Sequence, residues 1–378
     1  MVGEIVKLTE VKLKDISKNN RGYYGIGASA VDYDENKYTY LRITDINDDG
    51  TLNTKALMSV DDENACKFLL KENDIVFART GASTGRNYFY DGEINNMVFA
   101  GFLIKFSLDK EKVNPRFIKY YCLSQNYKNW IASSLTGSTR PNINEKQLSE
   151  MPIILPDREY QDRAVKVLDA ITKKIKLNNQ INDNLLEQAI TIFKDRFPKV
   201  EKGNDTIGNY LIPKKGKNLL SRDAIKGNVP VVAGGLEPAT YHNTSNTKAP
   251  VITISASGAN AGFINLWNVP VWSSDSSFID DTITENVYFW YVALKIRQKE
   301  IYDSQTGSAQ PHIYPKHIAE LPINSLEKDR VNKYTKIVTP LFEMIGKNKE
   351  ENKYLEQLRN ILLPKLINGE MDLYNIES

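Results

Sequence analysis

Apolar residues recur at alternating steps of four and three along residues 158–196: Ala164, Leu168, Ile171 and Ile175, then Leu185, Ala189 and Ile192. Asn178 and Asn182 fill the gap in register. So narrow a stripe is a coiled-coil seam rather than a broad core-facing surface. Adding 170 to each position gives Tyr334, Val338, Leu341, Ile345, Asn348, Asn352, Leu355, Arg359 and Leu362, the same seam with asparagines in the same two places. A buried seam asparagine weakens a helix pair but fixes its register, because mispairing strands an amide. Antiparallel helices related by a pseudo-twofold near residues 180 and 350 set Asn178 against Asn352 and Asn182 against Asn348. The alternative is four solvent-facing asparagines on unrelated helices. Pro340 lies inside the second run, where a proline costs about 3 kcal/mol, and Thr339-Pro340 is a good cap and first-turn pair. The pattern therefore predicts a break or kink there, then a helix to about residue 363, with Pro364 disturbing the last turn.

Outside the long helices the periodicity changes. Short alternating or apolar runs at 38–43, 75–78, 87–90 and 98–106 predict strands, separated by turns such as Asp49-Gly50 and Asp91-Gly92. Residues 117–127 predict a helix, with Pro115 near its start. The second half gives strands at 229–233, 251–255 and 263–266 and a helix at 287–297. Ser273-Ser274-Asp275-Ser276-Ser277 reads as a loop or turn. The expected fold is α+β: two globular mixed α/β domains in tandem repeat, separated by two long antiparallel coiled-coil helices. Its boundaries fall at 1–157, 158–199 (first long helix and connector), 200–326 and 327–378 (second long helix and tail).

The duplication extends beyond the helices. The phrase Leu135-Thr136-Gly137-Ser138-Thr139-Arg140-Pro141-Asn142-Ile143 is answered 170 residues later by Gln305-Thr306-Gly307-Ser308-Ala309-Gln310-Pro311-His312-Ile313. Upstream, Gly81-Ala82-Ser83-Thr84-Gly85 is matched 177 residues later by Gly258-Ala259-Asn260-Ala261-Gly262. The change of offset predicts a loop insertion of about seven residues in the second half.

Composition narrows the chemistry. The net charge is only +2, so bulk charge does not announce nucleic acid, although Lys214, Lys215, Lys217, Arg222 and Lys226 cluster against Asp223 alone. Two distant cysteines, no apolar leader and no run near the ~18 apolar residues of a membrane span predict a soluble protein of a reducing, cytoplasmic compartment with no membrane partner. There is no phosphate-loop or dinucleotide fingerprint, and three scattered histidines are too few for a zinc site or triad. No cofactor, metal or catalytic residue is expected. Asp157 and Glu159 are first-turn carboxylates favoured by the helix dipole.

Duplicated domains joined by a stiff helix pair suit a ligand with two sites on one long molecule. Double-stranded DNA is such a ligand, with half-sites spaced by turns of about 34–36 Å. A helix over 158–196 is about 58 Å long at 1.5 Å per residue, and an antiparallel pair would put one domain at each end. Dissimilar domains imply dissimilar half-sites, hence an asymmetric, split target with an unread spacer.

The chain resembles the specificity (S) subunits of type I restriction-modification systems. The resemblance rests on 74–85 (Asp-Ile-Val-Phe-Ala-Arg-Thr-Gly-Ala-Ser-Thr-Gly), 255–262 (Ser-Ala-Ser-Gly-Ala-Asn-Ala-Gly), the two Thr-Gly-Ser phrases, and 358–373 ending Asn-Gly-Glu-Met-Asp-Leu. It implies two target-recognition domains, each reading half of a bipartite site. It also implies helices that dock two adenine methyltransferase subunits, restriction/translocase subunits that join for cleavage, and a chain that is not itself an enzyme. The rival readings are a self-contained methyltransferase or nuclease with unrecognised motifs, and a coiled-coil scaffold that binds only proteins.

Residue chemistry nominates the DNA contacts. Arg79, Thr80, Ser83, Arg86 and Asn87 lie in or beside a Gly/Ser/Thr loop whose backbone can approach a phosphate, and Ser257 and Asn260 lie in its repeat. Ser138, Thr139, Arg140 and Asn142 form a polar loop matched by Ser308, Gln310 and His312. Arginine reads guanine and Asn or Gln reads adenine by paired hydrogen bonds, which makes Arg140 and Gln310 base-reading candidates; shared structural turns are the alternative. Lys214, Lys215 and Lys217 are phosphate candidates.

Overall fold

The computed structural model describes residues 6–135, 141–307 and 311–374. The chain forms two compact units, one of Met1–Lys174 with Leu355–Ser378, the other of Ile175–Tyr354. Both long helices are divided between them, and the first unit is discontinuous in sequence while the second is one continuous stretch.

The first unit centres on Asp74–Ala78, an all-apolar run after its first residue and buried along its whole length. It lies between Leu103–Ser107 and Asn87–Tyr90, with Tyr23–Tyr24 at the far edge, all antiparallel. A second sheet orders Ala30–Val31, Met58–Val60, Tyr38–Leu41 and Met97–Phe99, the last pair parallel. The apolar stretch at 98–106 is thus two strands in different sheets, because the chain turns at Gly101. The helix predicted over 117–127 is also two, Pro115–Tyr121 and Gln125–Ser134, since the Ser124 side chain caps the second at the Tyr127 amide. Tyr160, Ala164 and Leu168 of the first long helix share this unit's core with Leu366, Ile367 and Leu373.

The second unit repeats the plan. Val251–Ser255 is buried throughout and lies between Ser276–Asp280 and Ile264–Trp267, with Lys214–Lys215 at the edge. The expected serine loop is therefore partly wrong. Ser276 and Ser277 open a fully buried strand, where the Ser276 hydroxyl meets Ser273 at 2.8 Å and the Val232 carbonyl at 3.2 Å. A strand buried on both faces leaves no alternation to read, whether its hydroxyl is partnered, as at Ser276, or not, as at Ser277. Phe193, Phe197, Phe289 and Tyr334 form an aromatic cluster with ring centroids 5.1–6.0 Å apart.

The long helices are Arg158–Arg196 and Lys328–Ile367. In the second unit Ala189 meets Tyr334, Asn182 meets Asn348 and Asn178 meets Asn352, so the two segments run antiparallel. Asn178 donates to Asn352 and Asn348 to Asn182, each at 2.8 Å, and all four side chains are buried. Asn352 donates in turn to Asn179. The break expected at Pro340 is absent: one helix continues through it, and through Pro364, to Ile367. Pro340 is exposed, while Tyr334, Val338 and Phe342 on the same stretch are fully buried. Their packing offsets the cost of the missing N–H.

Candidate nucleic-acid interface

Two polar loops far apart in sequence meet in each unit. In the first, the strand ending at Ala78 passes through Arg79 and Thr80 into the turn Gly81–Ser83. The Gly81 amide donates to the Pro141 carbonyl at 3.0 Å, Thr80 bridges Asn142, and the Ile143 amide donates to the Arg79 carbonyl at 2.9 Å. In the second, the Gly258 amide donates to Pro311 at 3.1 Å, Ser257 bridges His312, and the Ile313 amide donates to Ala256 at 2.9 Å. The hydrogen bonds are the same, residue for residue, across the two copies. Glycine is required at the turns. Gly81 and Gly258 have φ of +72° and +80°, and Gly85 and Gly262 have +89° and +87°. A Cβ on Gly85 would stand 2.6 Å from Ile131, and one on Gly262 2.9 Å from Ile301.

The nominated side chains have different fates on this shared frame. Arg79 is half-buried, with its guanidinium 5.1 Å from the centroid of the Tyr24 ring and its buried Nε without a hydrogen-bond partner. Arg86 is committed to the Asp48 carboxylate at 2.6 Å and the Ile46 carbonyl at 3.1 Å. Asn87 is a correction: it lies inside the sheet and donates to the Cys122 carbonyl at 3.1 Å, so its amide is used internally. Ser83 is half-buried in its turn, and Asn142 is exposed. Ser257 donates to the Asp275 carboxylate, which would repel a phosphate placed there, and Asn260 reaches the Gly234 carbonyl at 3.4 Å. The His312 ring stacks on Tyr314 at 5.9 Å. Ser138, Thr139, Arg140, Ser308 and Gln310 lie outside the described residues.

Lys214 and Lys215 form the exposed edge strand of the second unit's sheet, with the Lys214 ammonium 3.1 Å from the Thr282 hydroxyl. Lys217 is exposed beyond it. Lysines there also discourage pairing with a foreign strand, so the position serves either purpose. The same unit has a groove of about 1420 Å³ whose walls include Tyr241, Trp267, Lys349 and Lys353, outside the loop pair. Desolvation draws the Lys349 pKa down although the residue keeps an exposed surface.

Sequence reading missed a cluster on the first unit. Arg21 sits 4.8 Å over Tyr23, and the next residue, Tyr24, lies under Arg79. Only the pairing of Tyr24 with Ile104 brings that ring to Arg79, whose amide donates to the carbonyl of the 60% exposed Phe102 at 3.0 Å. Cationic and aromatic groups so interleaved are suited to bases and phosphates.

The family model described as "Type I restriction modification DNA specificity domain" matches residues 5–187. The first half of the chain thus carries this specificity domain. Its role is DNA sequence specificity in a type I restriction-modification system. A Mycoplasma pneumoniae chain assigned as a type I specificity subunit is 26% identical over 279 residues, covering 68% of this chain and 74% of that one. The specificity subunit of the type I restriction enzyme MjaIX, from Methanocaldococcus jannaschii, is 23% identical, covering 70% and 71%. In fold, the type I S subunit from M. genitalium matches with a TM-score of 0.60 at 20% identity, covering 97% of each chain. Among the described residues of this specificity subunit, no helix is long and apolar enough to cross a membrane and no cluster of three His, Cys, Asp or Glu is placed to hold a metal.

Proposed function

We propose that each unit reads one half of a split, asymmetric duplex site, and that the chain itself catalyses nothing. It directs two adenine methyltransferase subunits, and restriction/translocase subunits when present, to that site. The observation that carries this is the duplicated loop pair: one backbone frame, hydrogen-bonded identically in both units, bearing Arg79, Thr80 and Asn142 in one and Ala256, Ser257 and His312 in the other. A common frame with different side chains reads different bases in a common way. Expressed with an adenine methyltransferase subunit encoded beside it, the chain should direct methylation to a two-part site with an unread spacer, visible by single-molecule methylome sequencing; a short palindromic target contradicts this. Purified alone with S-adenosylmethionine, or with Mg²⁺ and DNA, it should modify and cut nothing. Activity from the lone chain favours a self-contained enzyme, and absence of salt-sensitive duplex binding with the partner present favours a protein scaffold.

A further inference from the structure

We propose that Arg79 reads a guanine in the half-site of the first unit, with Tyr24 as the residue that positions it. The assignment rests on the sequence-specific DNA reading above and names the base. Arg79 follows the most deeply buried strand of its unit, and its backbone is held on both sides, the amide by Phe102 and the carbonyl by Ile143. Its Cα is therefore placed by the sheet. The guanidinium lies over Tyr24, and that ring is itself fixed: the strand pairs with Ile104, and the Tyr24 hydroxyl accepts from the Glu145 amide at 3.1 Å.

Three other arginines of this unit are already employed. Arg42 is held by Asp45, Arg86 by Asp48 and Arg116 by Asp169. No carboxylate among the described residues pairs with Arg79. Glu145 is close in the fold but accepts from the Gly22 amide at 2.8 Å and the Ser149 hydroxyl at 2.7 Å. Arg79 thus combines a stacked, pre-oriented fork with a buried Nε that lacks an acceptor. A planar fork of donors held still by an aromatic ring matches the paired O6 and N7 acceptors of guanine in the major groove. The equivalent residue of the second unit is Ala256, so this contact belongs to one half-site only.

The test is selection from a pool of randomised duplexes by the full chain, alone and with its methyltransferase partner, sequencing what is retained. The natural chain should return a split motif with guanine at one position of one half. R79A should erase the preference at that position and lower affinity for the best site by about tenfold to a hundredfold, leaving the other half unchanged. R79Q should move the same position towards adenine, a gain that misfolding cannot produce, and Y24L should blur that position and no other. The assignment is overturned if R79A weakens all duplexes equally and lowers the salt dependence by about one ion, the mark of a phosphate contact. It is equally overturned if the affected position prefers another base, or if no position responds. Failure of the natural chain to return any split motif counts instead against the two-half-site reading.

Discussion

Gly85 shows how narrowly single positions are constrained. It combines φ of +89° with an Ile131 methyl 2.6 Å from where a Cβ would go. Gly85→Ala should cost roughly 2–5 kcal/mol in chemical denaturation, the sum of backbone strain and overpacking. Gly81→Ala, with φ of +72° but open space, should cost only about 1–2 kcal/mol. The seam asparagines give a second case. Replacing Asn178, Asn182, Asn348 and Asn352 together by Leu removes two buried amide pairs; the acceptors left behind, on Asn179 and Glu351, are on exposed residues that water can reach. Stability should be kept or raised while register loosens, read out by denaturation and by engineered cysteine cross-links; severe unfolding of the quadruple variant contradicts this. Asn178→Leu alone takes a donor from the Asn352 carbonyl oxygen and should destabilise by about 1–3 kcal/mol. These asparagines were legible because a seam position says which residue it faces. The environment of Arg79 was not, because Tyr24 reaches it through strand pairing between residues about 80 apart in sequence.

At the level of elements, strong periodicity was readable and competing signals misled. Both long helices follow from their seams. The proline rule pointed to a stop at 340, but a proline on an exposed face loses one hydrogen bond while the opposite face keeps Tyr334, Val338 and Phe342 buried. Pro340→Ala restores that bond and should raise stability by about 1–3 kcal/mol, measured by thermal melting. The strand at Ser276–Asp280 was invisible for the opposite reason. Its serines suggest a loop, yet both are buried in the sheet, Ser276 with partners and the Ser277 hydroxyl without one, and Asp280 accepts from the Lys248 amide at 2.9 Å and the Thr282 hydroxyl at 2.6 Å. Burial of polar groups that find partners follows from tertiary structure, which local composition does not report.

For the molecule as a whole, the repeat was legible as duplicated phrases, whereas the way the chain is shared between units was not. The tandem reading cuts the sequence at helix boundaries, but the first unit borrows its last core residues, Leu366, Ile367 and Leu373, from the far side of the second. Ending the chain after Tyr354 should therefore unfold the first unit, since losing each buried leucine or isoleucine costs about 2–5 kcal/mol against a domain stability of about 5–15. Hydrogen exchange should show protection lost at Asp74–Ala78 and kept at Val251–Ser255.

That borrowing also sets a timetable for synthesis. The strands of the first unit leave the ribosome early, yet the residues that close its core follow the whole of 175–354. At about 5–20 residues per second the delay is roughly 10–40 s. The half made first must wait unfinished, open to chaperones and proteases, while the half made later completes itself from its own contiguous stretch of chain.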